Sequence, residues 1–573
     1  MQSLDWIVLI LTLTAIIAYG LYKSRTTHNL AGYFLANRSM NWGLILLSII
    51  GTQASSITFL SAPGQAYTDG MRFVQYYFGL PIAAVLVCVV FVPIFSKFKV
   101  YTAYEYLETR FDVKTRTLTS FLFLLNRSLS TGISVFAPSI ILSSLLGWNI
   151  YWTNIFMGGL LIIYTMSGGA KAVAYTQQLQ LIIIFIGIFL AAYLVVHMLP
   201  ENIGFFDALH VSGKLGKLNV ITTGIKNGKF NWNDRYNLWS GLIGGLFLAL
   251  SYFGADQSQV GRYLTASSLK ESKMGLLING MVKVPMQFLI LLVGALVFAF
   301  YQFHSAPLFF NQLELTKAEH SVYKDSLTQA QQEYQTINLL KQKSVTDFSL
   351  ALHRRDKINI ERHQHELTDL QHYSDSLRGK VKTWISKSGG DNNDTNYIFI
   401  RFVVDYLPSG LVGLLIAIIF LASWGSIAAA LNSLSASTMV DFHKKFSKRD
   451  ISPEREYQWS KWYTLAWGIF CIVVAMFTYN IGNSLIEAVN VLGSLFYGVI
   501  LGVFLVAFFF KNIKSGLPVF WGALLAECLV LGVFFFAKLG DKLSFLWLNP
   551  IGAFGVILFT LLFNLFLRLQ KTR

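Results

Sequence analysis

Apolar runs of about 20 residues recur along almost the whole chain, and this is the length that crosses the hydrocarbon core of a bilayer. Clear examples are Leu4–Tyr22, Leu411–Val440 and Leu485–Phe510. Hydropathy divides the chain into about thirteen such segments. Transmembrane β-barrels are excluded, because their strands are short and alternate between apolar and polar residues. The sequence therefore predicts an all-α polytopic membrane protein with about thirteen transmembrane helices.

The composition agrees with a membrane protein and argues against nucleic-acid binding. Of 573 residues, 54% are hydrophobic and 13% are charged, and the formal net charge is +16. Many of the basic residues lie in short loops beside apolar segments, such as Lys270/Lys273 and Lys511/Lys514. Basic short loops are typical of the cytoplasmic side. We therefore expect a multi-pass protein of the cell (plasma or inner) membrane, with its N-terminus outside and its C-terminus in the cytoplasm.

Two predicted spans contain small and polar residues at mid-membrane. One is the stretch Ile49–Phe59, and the other runs from Gly244 to the pair Asp256-Gln257. If the second to the eleventh of the thirteen predicted spans form two successive sets of five, these two spans are the first member of each set. Interrupted helices at corresponding places in two inverted repeats mark a midplane binding site in secondary transporters. Flexible packing by glycine and serine is the alternative interpretation.

The long segment 304–396 is polar and interrupts the apolar pattern. Apolar residues at helical spacing within it predict one or more amphipathic helices; they are Leu339, Leu340, Val345, Phe348 and Leu350. By the span count this insert is extracellular, and it is either a solvated helical insert or a cap that binds an extracellular partner. The predicted units are an N-terminal helix and loop (1–38), the first repeat with the start of the second (39–303), the insert (304–396), the rest of the second repeat (397–511) and two C-terminal helices (512–573).

The segment Phe420–Asp441 turns from apolar to small and hydroxylated residues without gaining a charge before Asp441. Small residues let neighbouring helices approach closely. Hydroxyl and carbonyl oxygens are also the ligands that hard cations prefer. From its residues alone, the segment is either one half of an ion site or a tightly packed helix face.

Several motifs resemble those of the sodium–solute symporter family, which includes sodium–glucose, proline, iodide and sialic-acid cotransporters. The matching stretches are Tyr33–Trp42, Ser56–Tyr67, Tyr101–Phe111, Ser167–Gln180, Asp256–Leu264 and Ser426–Asp441. Their order and spacing extend the resemblance over nearly the whole chain apart from the insert. The resemblance implies a LeuT-like 5+5 inverted-repeat core and a transporter, not an enzyme, that imports a small organic solute with sodium by alternating access.

The resemblance further implies a site for the co-transported sodium ion, built from main-chain carbonyls and two adjacent hydroxyls. By motif, its positions are Gly51, Ala54, Ala422, Gly425 and Ser426. Gly425 departs from the family pattern because it has no hydroxyl, and Gly425→Ser is expected to tighten sodium binding. Members that use a second sodium have an Asp after the threonine that corresponds to Thr176. Since this chain has Gln177 there, we expect one cation per turnover.

Polar residues inside the spans are the candidates for solute binding. They are Gln53, Gln75, Asp256, Gln257, Lys283 and Asn490. A lysine at the centre of a membrane helix costs about 2.5–3.5 kcal/mol, so Lys283 either serves the solute pathway or reaches the cytoplasmic interface. Helix capping is the alternative for Asp256, and Arg127 is expected to form a structural ion pair or to lie at the interface.

Other functions make different predictions from the same sequence. Coupling to protons instead of sodium would use Asp256 or Glu487 as the proton carrier. A cation channel would need a continuous pore with a selectivity filter, and no filter motif is evident. A membrane sensor would carry a signalling domain. The sequence does not identify the solute, which can be a sugar, an organic anion or an amino-acid derivative.

Overall fold

The computed structural model describes residues 2–24, 30–447, 451–478, 484–540 and 542–571. Within these ranges the secondary structure is helical apart from one short β-hairpin. Ten helices are long and apolar enough to cross a membrane, or up to eleven if a bent pair counts as one span. The all-α membrane architecture is confirmed, whereas the predicted number of thirteen helices is not. Residues 1, 25–29, 541 and 572–573 of the predicted terminal units lie outside the described residues.

The helices before the insert alternate between long spans and short connecting segments. They are α1 Ser3–Ser24, α2 Leu30–Leu35, α3 Trp42–Gln53, α4 Ser56–Asp69, α5 Leu80–Leu86, α6 Val92–Phe98, α7 Glu105–Arg110, α8 Val113–Leu146, α9 Ile150–His197, α10 Phe205–Lys214, α11 Gly245–Gly254, α12 Gln257–Tyr263 and α13 Leu269–Phe303. A 3-10 helix, Met71–Tyr77, follows α4, and the strands β1 Ile225–Lys226 and β2 Lys229–Phe230 pair in the loop after α10.

The helices from the insert to the C-terminus complete the bundle. They are α14 Gln312–Glu319, α15 Lys324–Arg354, α16 Lys357–Lys387, α17 Ile398–Tyr406, α18 Leu411–Ser437, α19 Lys444–Phe446, α20 Pro453–Met476, α21 Leu485–Phe509, α22 Gly516–Gly540 and α23 Leu548–Lys571. Two of the spans that hydropathy predicts, Tyr151–Met166 and Leu238–Phe253, correspond to the shorter apolar helical segments Ile150–Met166 and Ser240–Gly254.

The first predicted break lies between α3 and α4, which are bent by 60° relative to each other. Ala54 has φ −80° and ψ 71°, and Ser55 has an extended backbone. The N–H of Ser55 donates to the carbonyl of Gln53 at 3.0 Å, and the N–H of Thr58 donates to the carbonyl of Ser55 at 2.9 Å. In a continuous helix these two N–H groups would bond to the carbonyls of Gly51 and Ala54. The break therefore releases both carbonyls from the helical pattern.

The second predicted break lies between α11 and α12. Ala255 leaves the helical conformation, and Asp256 has an extended backbone with φ −76° and ψ 117°. The Asp256 carboxylate accepts a hydrogen bond of 2.7 Å from the N–H of Ser258 and so caps α12. An aspartate in this position satisfies an N–H group that has no partner within the helix.

Helix α18 lies at the centre of the bundle, and nearly all of its residues are buried. It packs against α1, α3, α8, α9 and α20. The buried Asp5 of α1 accepts hydrogen bonds from the N–H groups of Gly410 (2.6 Å) and Gly413 (3.2 Å). A Cβ on Gly413 would lie 2.1 Å from the carbonyl oxygen of Asp5, so only glycine allows this close approach. Small residues thus serve tight packing in the first part of α18.

The insert forms helices α14, α15 and α16, as its pattern predicts, and has a small hydrophobic core of its own. The end of the insert, where the chain re-enters the bundle, is held by the buried Asp394, which pairs with Arg378 at 2.6 Å and Lys382 at 2.9 Å. Val345 and Phe348 are buried, as expected for the inner face of an amphipathic helix. Three other apolar residues of the predicted stripe are exposed: Leu339, Leu340 and Leu350.

Candidate cation and solute site

A cavity of about 140 Å³ lies between the two broken helices. Thr52, Gln53 and Ser55 line it from the first break, and Ser426 lines it from α18. Segments of α4, α5, α8, α11, α13 and α21 and the 3-10 helix Met71–Tyr77 complete its wall. A cavity that joins an unwound main chain to a hydroxyl-bearing helix is the arrangement expected of a midplane site in an inverted-repeat transporter.

Three of the predicted solute residues, Gln53, Lys283 and Asn490, line this cavity. The side-chain N–H of Gln53 donates to Oδ1 of Asn279 at 3.2 Å. Oδ1 of Asn490 accepts from the hydroxyl of Tyr76 at 3.1 Å, while Nδ2 of Asn490 has no hydrogen-bond partner among the described residues. Both carboxamides thus retain hydrogen-bonding capacity toward a solute.

Asp256 and Gln257 lie outside the cavity wall and support the second break. Gln257 donates to the carbonyl of Tyr101 at 2.9 Å and accepts from the N–H of Ala103 at 2.9 Å, which ties α12 to the segment before α7. Asp256 caps α12 and also accepts a hydrogen bond of 2.6 Å from the hydroxyl of Tyr497, a residue that does line the cavity.

Gln75 also lies outside the wall, at the end of the bundle to which α10 and the β-hairpin belong. Its carboxamide donates to Thr222 Oγ1 and to the carbonyl of Tyr236, both at 3.0 Å, and accepts from the N–H of Thr222 at 3.0 Å. The side chain is fully buried. Gln75 therefore holds the 3-10 helix Met71–Tyr77 against the loop after α10.

Lys283 is the most unusual side chain in the cavity wall. It is 1% exposed, and its ammonium group has no hydrogen-bond or ion-pair partner within the described ranges. The Nζ atom lies 5.4 Å from the ring centre of Tyr77, in cation–π geometry. The alternative that Lys283 reaches an interface is not seen, because the whole side chain is buried in the bundle.

Arg127 makes the ion pair that its sequence position favours, with its guanidinium 4.0 Å from the Asp256 carboxylate. It also lines the cavity, which the sequence did not indicate. Ser130, Thr131 and Ser134 line the cavity from the same face of α8. Together these residues follow the i, i+3, i+4, i+7 spacing of one helix face, so this polar stripe was a signal that could have identified them.

The residues of the predicted sodium site surround the first break and the middle of α18. Ser426 lines the cavity, and its hydroxyl donates to the carbonyl of Ser423 at 3.0 Å, which leaves its oxygen lone pairs available. The carbonyls of Gly51 and Ala54 are released by the break. Ala422 lies one helical turn before Ser426 in α18. These groups supply main-chain and hydroxyl oxygens of the kind a hard cation prefers.

Gln177 of α9 connects the first break to α18, a role the sequence did not predict. Its Oε1 accepts from the Ser48 hydroxyl at 2.9 Å, and its Nε2 donates to the carbonyl of Gly425 at 3.0 Å and to Thr52 Oγ1 at 3.3 Å. A Cβ on Gly51 would lie 2.9 Å from the Gln177 side chain. The neutral carboxamide thus occupies the space between the two halves of the predicted cation site.

Comparisons with known proteins show which proteins this chain is similar to. The model of the sodium:solute symporter family matches residues 33–320 and 373–526, which leaves the middle of the insert unmatched. The sodium/sialic acid symporter SiaT of Proteus mirabilis is 26% identical over 97% of this chain and 93% of that protein. The sodium/sialic acid symporter NanT of Aliivibrio fischeri is 24% identical over 97% of this chain and 92% of that protein.

A solved structure shares the fold. It is described as a substrate-bound outward-open state of a Na+-coupled sialic acid symporter, and it superposes with a TM-score of 0.73 at 24% identity. The superposition covers 98% of this chain and 97% of that one.

Proposed function

Because the chain belongs to the sodium:solute symporter family, we propose that it couples the entry of one sodium ion to the import of a small organic solute by alternating access. The family is one of transporters, and sodium is the co-transported ion of the relatives described above.

The observation that carries the proposal is the break between α3 and α4. It releases the carbonyls of Gly51 and Ala54 beside a cavity that Ser426 also lines. Unwound main chain at membrane depth is tolerated only where other groups satisfy it. A sodium ion held by Gly51, Ala54, Ala422 and Ser426 would satisfy these carbonyls. It would join the first repeat to the second and favour the conformation that accepts the solute.

The solute would then bind in the cavity next to this ion. We assign direct contacts to Gln53, Lys283 and Asn490, whose side chains line the cavity. Asp256 and Gln257 would act indirectly, by holding the second break in its extended conformation, and Gln75 by fixing the 3-10 helix that carries Tyr76 and Tyr77. By linkage, solute raises sodium affinity by the same factor by which sodium raises solute affinity.

Topology completes the proposal. The segments 150–166 and 240–254 are shorter than a full span, and we infer that they cross the bilayer together with the ten long helices and the α3–α4 pair. This gives thirteen crossings in a LeuT-like five-plus-five core with one helix before it and two after it. The N-terminus and the insert would face outside, where the exposed Leu339 and Leu340 are available to an extracellular partner.

The test is sodium-dependent stability of the purified protein. Thermal unfolding in sodium chloride is compared with unfolding in choline chloride, for the wild type and for Ser426→Ala. Sodium should raise the melting temperature of the wild type and raise that of Ser426→Ala by clearly less. Ser437→Ala is the matched control, because this buried serine of α18 lies three turns away and its hydroxyl has no partner in the described part of the chain.

Two outcomes would contradict the assignment. An equal sodium response of Ser426→Ala and the wild type would place the ion elsewhere. Solute uptake into proteoliposomes that is driven by an acid-outside pH gradient without sodium would indicate proton coupling instead.

A further inference from the structure

The cavity has an unbalanced positive charge. Lys283 and Arg127 line it, and no Asp or Glu side chain does so among the residues that the structure describes. Arg127 has a counter-charge behind the wall, because Asp256 lies 4.0 Å from its guanidinium. The Asp256 carboxylate is already committed to Arg127, to the Tyr497 hydroxyl and to the N-terminus of α12. One net positive charge, that of Lys283, therefore remains.

Two buried arginines of the described chain pair with carboxylates, whereas Lys283 has no such partner there. Arg116 contacts Asp441 at 2.7 Å, and Arg378 contacts Asp394 at 2.6 Å. Arg262 also has guanidinium nitrogens without hydrogen-bond partners, but it does not line the cavity. Lys283 thus combines full burial, an unpartnered ammonium group and direct access to the space between the broken helices.

An ammonium group removed from water without a counter-charge is costly, and a well-placed anion that also forms hydrogen bonds offsets this cost. Arg116 and Arg378 have their anions within the fold, whereas the ammonium group of Lys283 borders a cavity whose described lining contains none. The face of Tyr77 at 5.4 Å contributes cation–π attraction but supplies no hydrogen-bond acceptor in line with the N–H groups. The missing partner is therefore to be supplied by what enters the cavity.

We propose that the transported solute is a monoanion whose carboxylate pairs with the ammonium group of Lys283. This inference rests on the proposed transport function and narrows its substrate class. A single unpaired cation favours a solute with one negative charge over a doubly charged phosphate. The rest of the wall supplies hydroxyl and carboxamide groups, including Thr58, Ser130 and Asn490, which would hydrogen-bond a polar body attached to the carboxylate.

Matched pairs of probes test this charge requirement. Lactate, glucuronate and N-acetylneuraminate are compared with lactamide, glucuronamide and the methyl ester of N-acetylneuraminate, each added to the purified full-length protein in sodium chloride. Melting temperature is the readout. We expect at least one carboxylate to stabilise the protein while its uncharged counterpart does not. If no carboxylate stabilises the protein, or if uncharged counterparts stabilise it equally, the proposal is overturned.

Two variants locate the effect at Lys283. Lys283→Met keeps the volume and removes a buried unpartnered charge, so it is expected to fold at least as stably as the wild type. The affinity for the stabilising carboxylate should fall about tenfold or more, which is the loss of one charge-assisted hydrogen bond. Lys283→Arg keeps the charge and should retain most of the preference for the carboxylate over its uncharged counterpart. Unchanged carboxylate affinity in Lys283→Met would overturn the assignment.

The result can be separated from a failure of the transport proposal. Stabilisation by sodium alone depends on Ser426 and not on Lys283. A protein that responds to sodium but binds only uncharged solutes would refute the anion while leaving sodium coupling intact.

Discussion

Replacing Gln177 with glutamate should convert a fixed hydrogen-bonded link into a sodium-dependent one. The wild-type carboxamide donates to the carbonyl of Gly425 at 3.0 Å and to Thr52 Oγ1 at 3.3 Å. A glutamate of the same shape can still accept from the Ser48 hydroxyl, but it brings a negatively charged oxygen to the carbonyl of Gly425. Two acceptors then face each other in a buried site, and either a bound cation or a proton on the carboxylate would satisfy both.

The expected changes in stability and in sodium affinity follow from the contacts that Gln177→Glu loses and gains. In the absence of sodium, two hydrogen bonds are lost at about 0.5–1.5 kcal/mol each, and a carboxylate is left buried without a counter-charge. A sodium ion about 4 Å from the new charge gains about 4 kcal/mol at an effective dielectric constant of 20. If desolvation cancels more than half of this gain, about 1.4 kcal/mol remains, which is a tenfold increase in sodium affinity.

Thermal unfolding across a sodium titration measures both effects. Gln177→Glu should melt below the wild type in choline chloride and recover as sodium is added, with a midpoint at least about tenfold lower than that of the wild type. Gln177→Met is the control, since it loses the same hydrogen bonds without adding charge, and sodium should not restore its stability beyond the wild-type response. A Gln177→Glu protein that is as stable as the wild type in choline, with an unchanged sodium midpoint, would refute this reasoning.

Three further predictions concern the cation site, the insert and the charge moved per turnover. In Gly425→Ser the new Cβ would lie 2.5 Å from Oε1 of Gln180. Sodium titration of the double variant Gly425→Ser/Gln180→Ala should therefore show a larger gain in sodium affinity than titration of Gly425→Ser alone. Equal titration midpoints of the two variants would contradict this. Burial raises the pKa of Asp391 from 3.8 to about 6, so its contribution to stability is complete below about pH 3.8 and is lost as pH rises through about 6. Asp391→Asn should therefore gain stability at pH 7 and show a flatter dependence of melting temperature on pH between about 4 and 6, whereas an unaltered pH dependence would contradict the role of burial. With one sodium and a monoanionic solute, each turnover moves no net charge. A membrane potential of about 100 mV should therefore leave solute accumulation in proteoliposomes nearly unchanged. For a neutral solute the same potential would add about 2.3 kcal/mol of driving force, or roughly 50-fold more accumulation.

The sequence predicts the bundle and its two breaks because a membrane restricts the structures that can satisfy a polar main chain. Within hydrocarbon, only helices and closed barrels keep every backbone group bonded, and long continuous apolar runs fit helices because barrel strands are short and alternating. Small and polar residues such as those of Ile49–Phe59 are then out of place unless the helix is interrupted. The break at Ala54 and Ser55 lies inside this stretch, and the second break lies at Asp256, as its pattern indicates.

The sequence could not tell which polar side chains face the cavity. Gln53 and Gln257 both follow a predicted break, but the first lines the cavity and the second bonds the main chain of Tyr101 and Ala103. A buried carboxamide serves equally well as a solute contact or as a partner for loop backbone. The choice depends on helix rotation and on loops distant in the chain, and the same tertiary information was needed to find the contacts of Gln177.

The central claim is that main chain released at Gly51 and Ala54 binds sodium together with Ser426. A high-resolution cryo-electron microscopy comparison of the protein in sodium chloride and in choline chloride tests it directly. The account predicts density for an ion, present only in sodium, within coordination distance of the carbonyls of Gly51 and Ala54 and the hydroxyl of Ser426. The claim is contradicted if the two maps are identical there, or if ion density lies elsewhere in the bundle.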